Sequence, residues 1–267
     1  MAPRFTVPSA GWKSCAVSVP GFDHVEAGIP CQDANRVRHV DADRFVAVGA
    51  DGAGSAKYSD LGSTLLCEEL SWWLADRLSS EGDLAIADMD EALLRHWVEE
   101  GIDLVRAKVI DEACENGGDL SDYHATVVGV LVDKTGGAFF HIGDGAGLAA
   151  QAADLASFVL SPPENGEYAN ETYFFTQDDW RSRLRFLRFG PECDLIALMS
   201  DGVTPFALAK GGQAPFAPFL EPVSKFLDQN EHSVAEAGLL ELLQRDGLRK
   251  ISGDDKTLVW VKRTYCD

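Results

Sequence analysis

The sequence predicts an antiparallel α+β architecture with helices packed outside sheets, and three features of its 267 residues carry that reading. Short apolar runs rich in Val, Phe and Leu recur along the chain, each bounded by Gly, Pro, Asp or Ser, as strands are. Helical periodicity is confined to an early block of two segments and one late segment. The strands between follow one another directly, unlike the regular strand-helix alternation of a parallel doubly wound sheet.

Asn35 to Val40 and Phe45 to Ala50 flank the turn Asp41 to Arg44 and form the first expected hairpin. Leu66, Leu70, Trp73, Leu74 and Leu78 recur at three- and four-residue steps, as do Leu94, Trp97, Val98, Ile102, Val105 and Val109, which predicts two helices. Thr126 to Val132 turns at Asp133 to Gly137 and returns through Ala138 to Ile142, a second hairpin. Leu155 to Leu160, Leu184 to Phe189 and Leu195 to Met199 read as further strands. The polar stretch Pro162 to Gln177, with Asn165-Gly166-Glu167 and Asn170, reads as a surface loop or flap. Ser233 and Glu236 stand at capping-box spacing ahead of Leu239, Leu240 and Leu243, with Gly247 as the stop. Thr257 to Val261 is the last strand. No repeat, low-complexity tract or linker divides the chain, so residues 1–267 are expected to form one domain.

The chain carries 43 Asp and Glu against 23 Lys and Arg, a formal net charge of −20 with His neutral. Such a surface disfavours nucleic acid and anionic membranes, which are captured by positive charge. Hydrophobic residues make up 46% of the chain, enough for a sizeable core and against whole-chain disorder. No apolar run approaches the roughly 20 residues that span a bilayer, and no basic start precedes an unbroken apolar stretch, so neither membrane nor secretory signal is expected. Cys15, Cys31, Cys67, Cys114, Cys193 and Cys266 are scattered without a CxxC pair and read as free thiols of a cytoplasmic protein. Cys31 and Arg36 are one residue too close for a Cys-x5-Arg phosphatase loop. The sequon Asn170-Glu171-Thr172 is read as accidental in that compartment.

The acids are patterned. If the first hairpin forms, Asp33 and Asp51-Gly52 lie at its open end. The second hairpin delivers Gly143-Asp144-Gly145 to the same rim. Leu195 to Met199 runs into Ser200-Asp201-Gly202, and Thr257 to Val261 runs out of Asp254-Asp255, so an antiparallel pairing of those strands would bring their acids together too. A single Asp-Gly pair after a strand is a turn signal. Asp41-Ala42-Asp43 resembles the paired Asp of a phosphoaspartate enzyme, but it precedes its strand and reads as a hairpin turn. Several carboxylates at one rim, taken as having no Lys or Arg neighbours in sequence, would need a counterion, because two like charges at roughly 4 Å cost on the order of 4 kcal/mol near a surface. All-oxygen ligation suits Mg²⁺ or Mn²⁺, whereas zinc would draw His and Cys. His24, His124 and His141 show no metal-ligand spacing.

Gln32-Asp33, Asp51-Gly52-Ala53-Gly54-Ser55, the Thr126 strand with Gly143-Asp144-Gly145, Ser200-Asp201-Gly202 and Asp254-Asp255-Lys256-Thr257 resemble, in order, the motifs of the metal-dependent protein phosphatases of type 2C, the PPM family. The stretch His24 to Ala34 and the loop Asn165 to Asn170 resemble a bacterial branch of it. The resemblance implies a single PPM-type domain with two packed antiparallel β-sheets flanked by helices, an α-β-β-α sandwich. It implies two Mn²⁺ or Mg²⁺ ions, with a third in some members. Carried over by position, Asp51 would bridge the two ions, the Gly52 carbonyl would bind one, and Asp201 and Asp254 the other. Asp33 would hold metal-bound waters, and Asp144 with Asp201 would form the third site. Asp33, Asp51, Asp201 and Asp254 are thereby the expected catalytic residues.

The implied reaction is hydrolysis of phosphoserine or phosphothreonine by a water shared between the ions. The implied partners are a phosphorylated protein and a cognate Ser/Thr kinase, with the chain acting as a monomer. Many members carry an Arg five residues before the Asp33 position to grip the substrate phosphate; here Gly28 stands there. His24, Lys57 and Arg36 are the candidates to replace it, with a hydrogen-bonded structural role as the alternative for His24. The competing functional reading is a phosphatase-like regulatory binding module with little or no turnover, which the missing Arg favours and the intact Asp51, Asp201 and Asp254 oppose.

Overall fold

The computed structural model describes residues 11–80, 84–164 and 172–264. In chain order these form β1 (Gly11–Val19), α1 (Phe22–Ala27), β2 (Ala34–His39), β3 (Phe45–Ala50), α2 (Ser59–Ser80), α3 (Glu91–Asn116), β4 (Val127–Asp133), β5 (Gly136–Ile142), β6 (Ala146–Gln151) and β7 (Asp154–Ser161). There follow α4 (Trp180–Arg183), β8 (Arg185–Phe189), β9 (Leu195–Met199), α5 (Thr204–Ala207), α6 (Ala217–Gln229), α7 (His232–Leu243), α8 (Asp246–Arg249) and β10 (Lys256–Thr264). The strands make two five-stranded sheets, ordered β1-β10-β9-β6-β7 and β2-β3-β4-β5-β8, with antiparallel neighbours throughout.

Both faces of the central strands are covered, which is why they read as unbroken apolar runs instead of alternating ones. All six residues of β3 are buried. Phe45 and Ala47 point into the layer between the sheets with Val128, Val130, Phe139, Ile196, Leu198, Val259 and Val261. Val46, Val48 and Ala50 point the other way, onto Leu66, Leu70 and Leu74 of α2 and Val98, Ile102 and Val105 of α3. The outer face of the first sheet packs against α5, α6 and α7 through Phe206, Leu220, Leu227, Leu239 and Leu243. Fully burying one such aliphatic side chain contributes roughly 1.5–3 kcal/mol, so three apolar layers supply the main stabilisation of the sandwich.

Both expected hairpins form. Ala34 pairs with Ala50 and His39 with Phe45, and the Asp41 carboxylate holds the turn by accepting N–H from Asp43 at 2.9 Å and Arg44 at 2.8 Å. The second pairs Val127 with Ile142 and Asp133 with Gly136. β1, β6 and α6 go beyond the sequence reading. β6 is built of Ala and Gly, weak strand formers. α6 carries Pro222 inside it, which reads as a breaker, yet its apolar face of Leu220, Val223 and Leu227 is buried.

The start of α7 departs from the expected capping box. Glu231 is the N-cap, without a side-chain cap bond, and Ser233 lies inside the helix. Gly247 lies inside the short α8 and is no stop, because the chain has already left α7 at Gln244. The Asn165 to Asn170 part of the expected flap, and Cys266, lie outside the described residues. The other cysteines are free thiols. No helix among the described residues is long and apolar enough to cross a membrane.

Candidate active site

The strand registers decide where the acids fall. The Ala34 to Ala50 pairing sends Asp33 and Asp51 out of the same open end of the first hairpin. There the Asp51 N–H donates to Thr126 Oγ1 at 3.1 Å, the Thr126 N–H donates back to the Asp51 carbonyl at 2.8 Å, and Gly52 bridges to Ala125. Met199 pairs with both Leu258 of β10 and Ala146 of β6, so Asp201, the Asp254 turn and Asp144 leave their strands at one end. Gly143 turns the chain into Asp144 with φ 108°, a conformation that side chains disfavour. Arg185 steadies that turn by donating to the Gly143 carbonyl at 3.2 Å, and Thr172 Oγ1 donates to Asp144 Oδ2 at 2.5 Å.

The carboxylates act on one another. Burial, then the neighbouring Asp33 and Asp201, raise the Asp51 carboxyl well above its usual range. Burial pushes Asp33 up to about 8; the nearby Ser200 and Thr257 hydroxyls oppose it without reaching hydrogen-bond geometry, and Asp255 and Asp201 add to it. Burial raises Asp201 to about 6, helped by Asp254 and Asp144. Asp144 is raised by burial, with Asp254 contributing. A cavity of about 10 Å³, room for one water, opens beside Asp51 between Thr126, Ser200 and Thr257.

Both oxygens of Asp33, Oδ1 of Asp144 and Oδ1 of Asp201 are buried without a hydrogen-bond partner. Buried acceptors are normally satisfied, so unpartnered carboxylate oxygens on mutually repelling acids are the donor set a hard divalent cation takes. Among the described residues no three His, Cys, Asp or Glu side chains close around an ion by themselves. An ion here would complete its shell with the Gly52 carbonyl and water, as Mg²⁺ does when held by one or two carboxylates.

The candidate phosphate-gripping residues are placed apart from one another. His24 Nδ1 stands 2.8 Å from Asp255 Oδ1. Asp255 also accepts N–H from Gly21 at 2.6 Å and Gln32 at 2.5 Å, so the His24 ring belongs to a buried knot that fixes the approach to Asp33. Arg36 pairs with Glu68 on the outer face of the sandwich. Lys57 is exposed on the loop after Asp51-Gly52, its ammonium 4.5 Å from the centre of the Tyr58 ring. Gly28 caps α1 in the left-handed conformation, φ 69°, where an Arg would strain the backbone. Lys256, 3% exposed, corrects the expectation of acids without basic neighbours, because burial and proximity to Asp254, Asp255 and Asp33 place its cation among them. The sequence reading gave no role to Asp255 or Lys256, although the Asp254-Asp255-Lys256-Thr257 run contains both.

A family model described as protein phosphatase 2C matches residues 20–244. The chain belongs to the protein phosphatase 2C family. Its members are phosphoprotein phosphatases, and the two packed antiparallel sheets with flanking helices are the fold that the resemblance implied. This phosphatase 2C chain is similar to serine/threonine-protein phosphatase 3 of Escherichia coli (strain K12), 28% identical over 256 residues, spanning 92% of this chain and 96% of the relative. Its fold matches the serine/threonine phosphatase Stp1 from Staphylococcus aureus with a TM-score of 0.61 at 15% identity, over 99% of this chain and 100% of that one. It also matches RsbX, solved in complex with magnesium, with a TM-score of 0.54 at 12% identity, over 95% and 96% of the two chains.

Proposed function

We propose that this phosphatase 2C chain hydrolyses phosphoserine and phosphothreonine in proteins by attack of water at a centre of two Mn²⁺ or Mg²⁺ ions. The observation that carries the reading is the set of buried, unpartnered carboxylate oxygens on Asp33, Asp144 and Asp201 beside the raised carboxyl of Asp51. Magnesium in the complex of the similarly folded RsbX supports the choice of a divalent ion. The Escherichia coli relative supports a serine/threonine substrate.

Asp51 and the Gly52 carbonyl would hold one ion, Asp51 with Asp201 and Asp254 the other, and Asp144 with Asp201 a third. When bound, such ions supply an acidified water and neutralise phosphoryl oxygens, so no covalent phosphoenzyme is needed. The chain's own groups do the rest. Asp33, with both oxygens free, accepts hydrogen bonds from water and orients it. The paired bonds between Asp51 and Thr126 hold the Asp51 backbone rigidly, so its carboxylate keeps its place as charge builds. Of the cations considered for the substrate phosphate, Lys57 is exposed and makes no ion pair among the described residues, while Arg36 and His24 lie against carboxylates.

The test is turnover of a phosphorylated peptide with Mn²⁺ and then with chelator. Activity should vanish in chelator and fall about 10²–10³-fold in Asp51→Asn and Asp201→Asn, since a metal ion contributes several kcal/mol of transition-state stabilisation. Full turnover in chelator would remove the metal from the mechanism. Tight Mn²⁺ binding without turnover on any phosphopeptide would favour the regulatory-module reading.

A further inference from the structure

β10 begins at Lys256, whose side chain starts beside Gly202 and ends at the Asp254 carbonyl. Its Cγ would lie 3.2 Å from a Cβ at Gly202, and that Cβ would also overlap the Asp255 carbonyl, so only glycine after Asp201 leaves room for the stem and for the Asp255 backbone. The ammonium then donates to the Asp254 carbonyl at 2.7 Å. Among the described residues it makes no ion pair with a carboxylate oxygen; its hydrogen bond is to backbone. The turn is anchored on either side of Asp254, where the Asp23 N–H donates to the Gly253 carbonyl at 3.2 Å and the Asp255 carboxylate accepts from Gly21 and Gln32, but among the described residues Lys256 alone donates to the Asp254 carbonyl. The Asp254 N–H reaches Ser252 Oγ at 3.3 Å, and one Asp254 carboxylate oxygen is engaged by the Asp255 N–H at 2.8 Å.

We propose that Lys256 is a positioning residue: by holding the Asp254 carbonyl from across Gly202, its ammonium fixes the turn that presents Asp254 to a divalent cation. The inference rests on the metal-centre reading above. It differs from a counter-cation role, in which Lys256 would merely offset nearby acids and compete with the metal. The two roles give opposite signs: loss of a positioning bond weakens metal binding, whereas loss of a competing positive charge strengthens it.

The experiment is calorimetric titration of Mn²⁺ into metal-free wild type, Lys256→Met and Asp254→Ala, and into the double variant, with thermal melts of each. Lys256→Met should raise the Mn²⁺ dissociation constant about tenfold or more, the usual cost of removing a residue that orients a metal ligand. In the Asp254→Ala background the same substitution should have no further effect, because the lysine acts through Asp254. Should Lys256→Met fail to melt cooperatively, Lys256→Gln, neutral and too short to reach the carbonyl, carries the same expectation. Unchanged or tighter Mn²⁺ binding in either variant, or an effect that persists without Asp254, overturns the proposal. Failure of the wild type to bind Mn²⁺ overturns the metal centre itself, and is thereby distinguishable.

Discussion

Neutralising Asp33 should make the metal-free protein more stable while disabling it. Asp33 is buried with both carboxylate oxygens unpartnered, and burial lifts its carboxyl from 3.8 to about 8. Between those two values the folded protein keeps a proton that the unfolded chain has released. Raising the pH through this window therefore favours unfolding. At pH 7 the gap from 3.8 is about three steps of about 1.4 kcal/mol, an upper limit near 4 kcal/mol for this group. The neighbouring charges of Asp255 and Asp201 supply part of that rise, so the effect expected from Asp33→Asn is about 1–3 kcal/mol of added stability at pH 7–8. Near pH 5 it should shrink to about 1 kcal/mol or less. Urea unfolding of wild type and Asp33→Asn in chelator at pH 5 and pH 8 reads this directly. Wild type should lose stability as the pH rises, and the variant should lose less. Equal destabilisation of the variant at both pH values would refute the reasoning, because Asp33 would then be a satisfied structural acid.

Two further substitutions separate binding from scaffolding. Lys57→Ala should raise KM for a phosphopeptide about tenfold with kcat little changed, as expected for loss of a charged hydrogen bond made equally to substrate and transition state; a fall in kcat alone would reject Lys57 as the phosphate contact. Asp255→Asn should cost about 1–3 kcal/mol in urea unfolding, since it leaves one acceptor oxygen for the Gly21 and Gln32 N–H groups and His24; unchanged stability would reject the knot.

The legible parts of the fold are those where local chemistry and tertiary structure agree. The two hairpins carry their turns in sequence, and the burial of both faces shows in runs such as Phe45 to Ala50. From these the gathering of Asp33, Asp51 and Asp144 follows by counting residues to the strand ends. The pairing of Leu258 with Met199, which brings Asp254 to Asp201, spans the helices α5 to α8, and sequence alone carries no register across them. Where the two levels conflict, sequence reading fails. β6 is Ala- and Gly-rich because it lies centrally against β7 and β9 with little room for larger side chains, and α6 tolerates Pro222 because its other face is paid for by burial. His24 was a reasonable phosphate ligand by position, and only the three-dimensional course of Asp255 shows that its ring is already engaged. Lys256 was hidden for the converse reason: an acid-rich run such as Asp254-Asp255-Lys256 looks solvated, and nothing in it announces that the lysine is buried.

On the metal-centre reading proposed above, stability and metal binding in this phosphatase are one problem seen from two sides. Carboxylates at the rim are held where strand ladders fix their backbones, so they cannot relax apart when no cation offsets their charge. The folded chain must either retain protons on Asp33, Asp51 and Asp201 or surrender stability as they ionise. A ligand present at a hundred times its dissociation constant contributes about 2.7 kcal/mol to the folded state, comparable with the cost expected from Asp33. The same oxygens that make the metal-free protein fragile above neutral pH would thus restore it on binding a divalent cation, and Asp33→Asn should flatten both responses together. Were the carboxylates only a solvated acidic surface, chelator and pH would act on stability independently, and the substitution would touch neither.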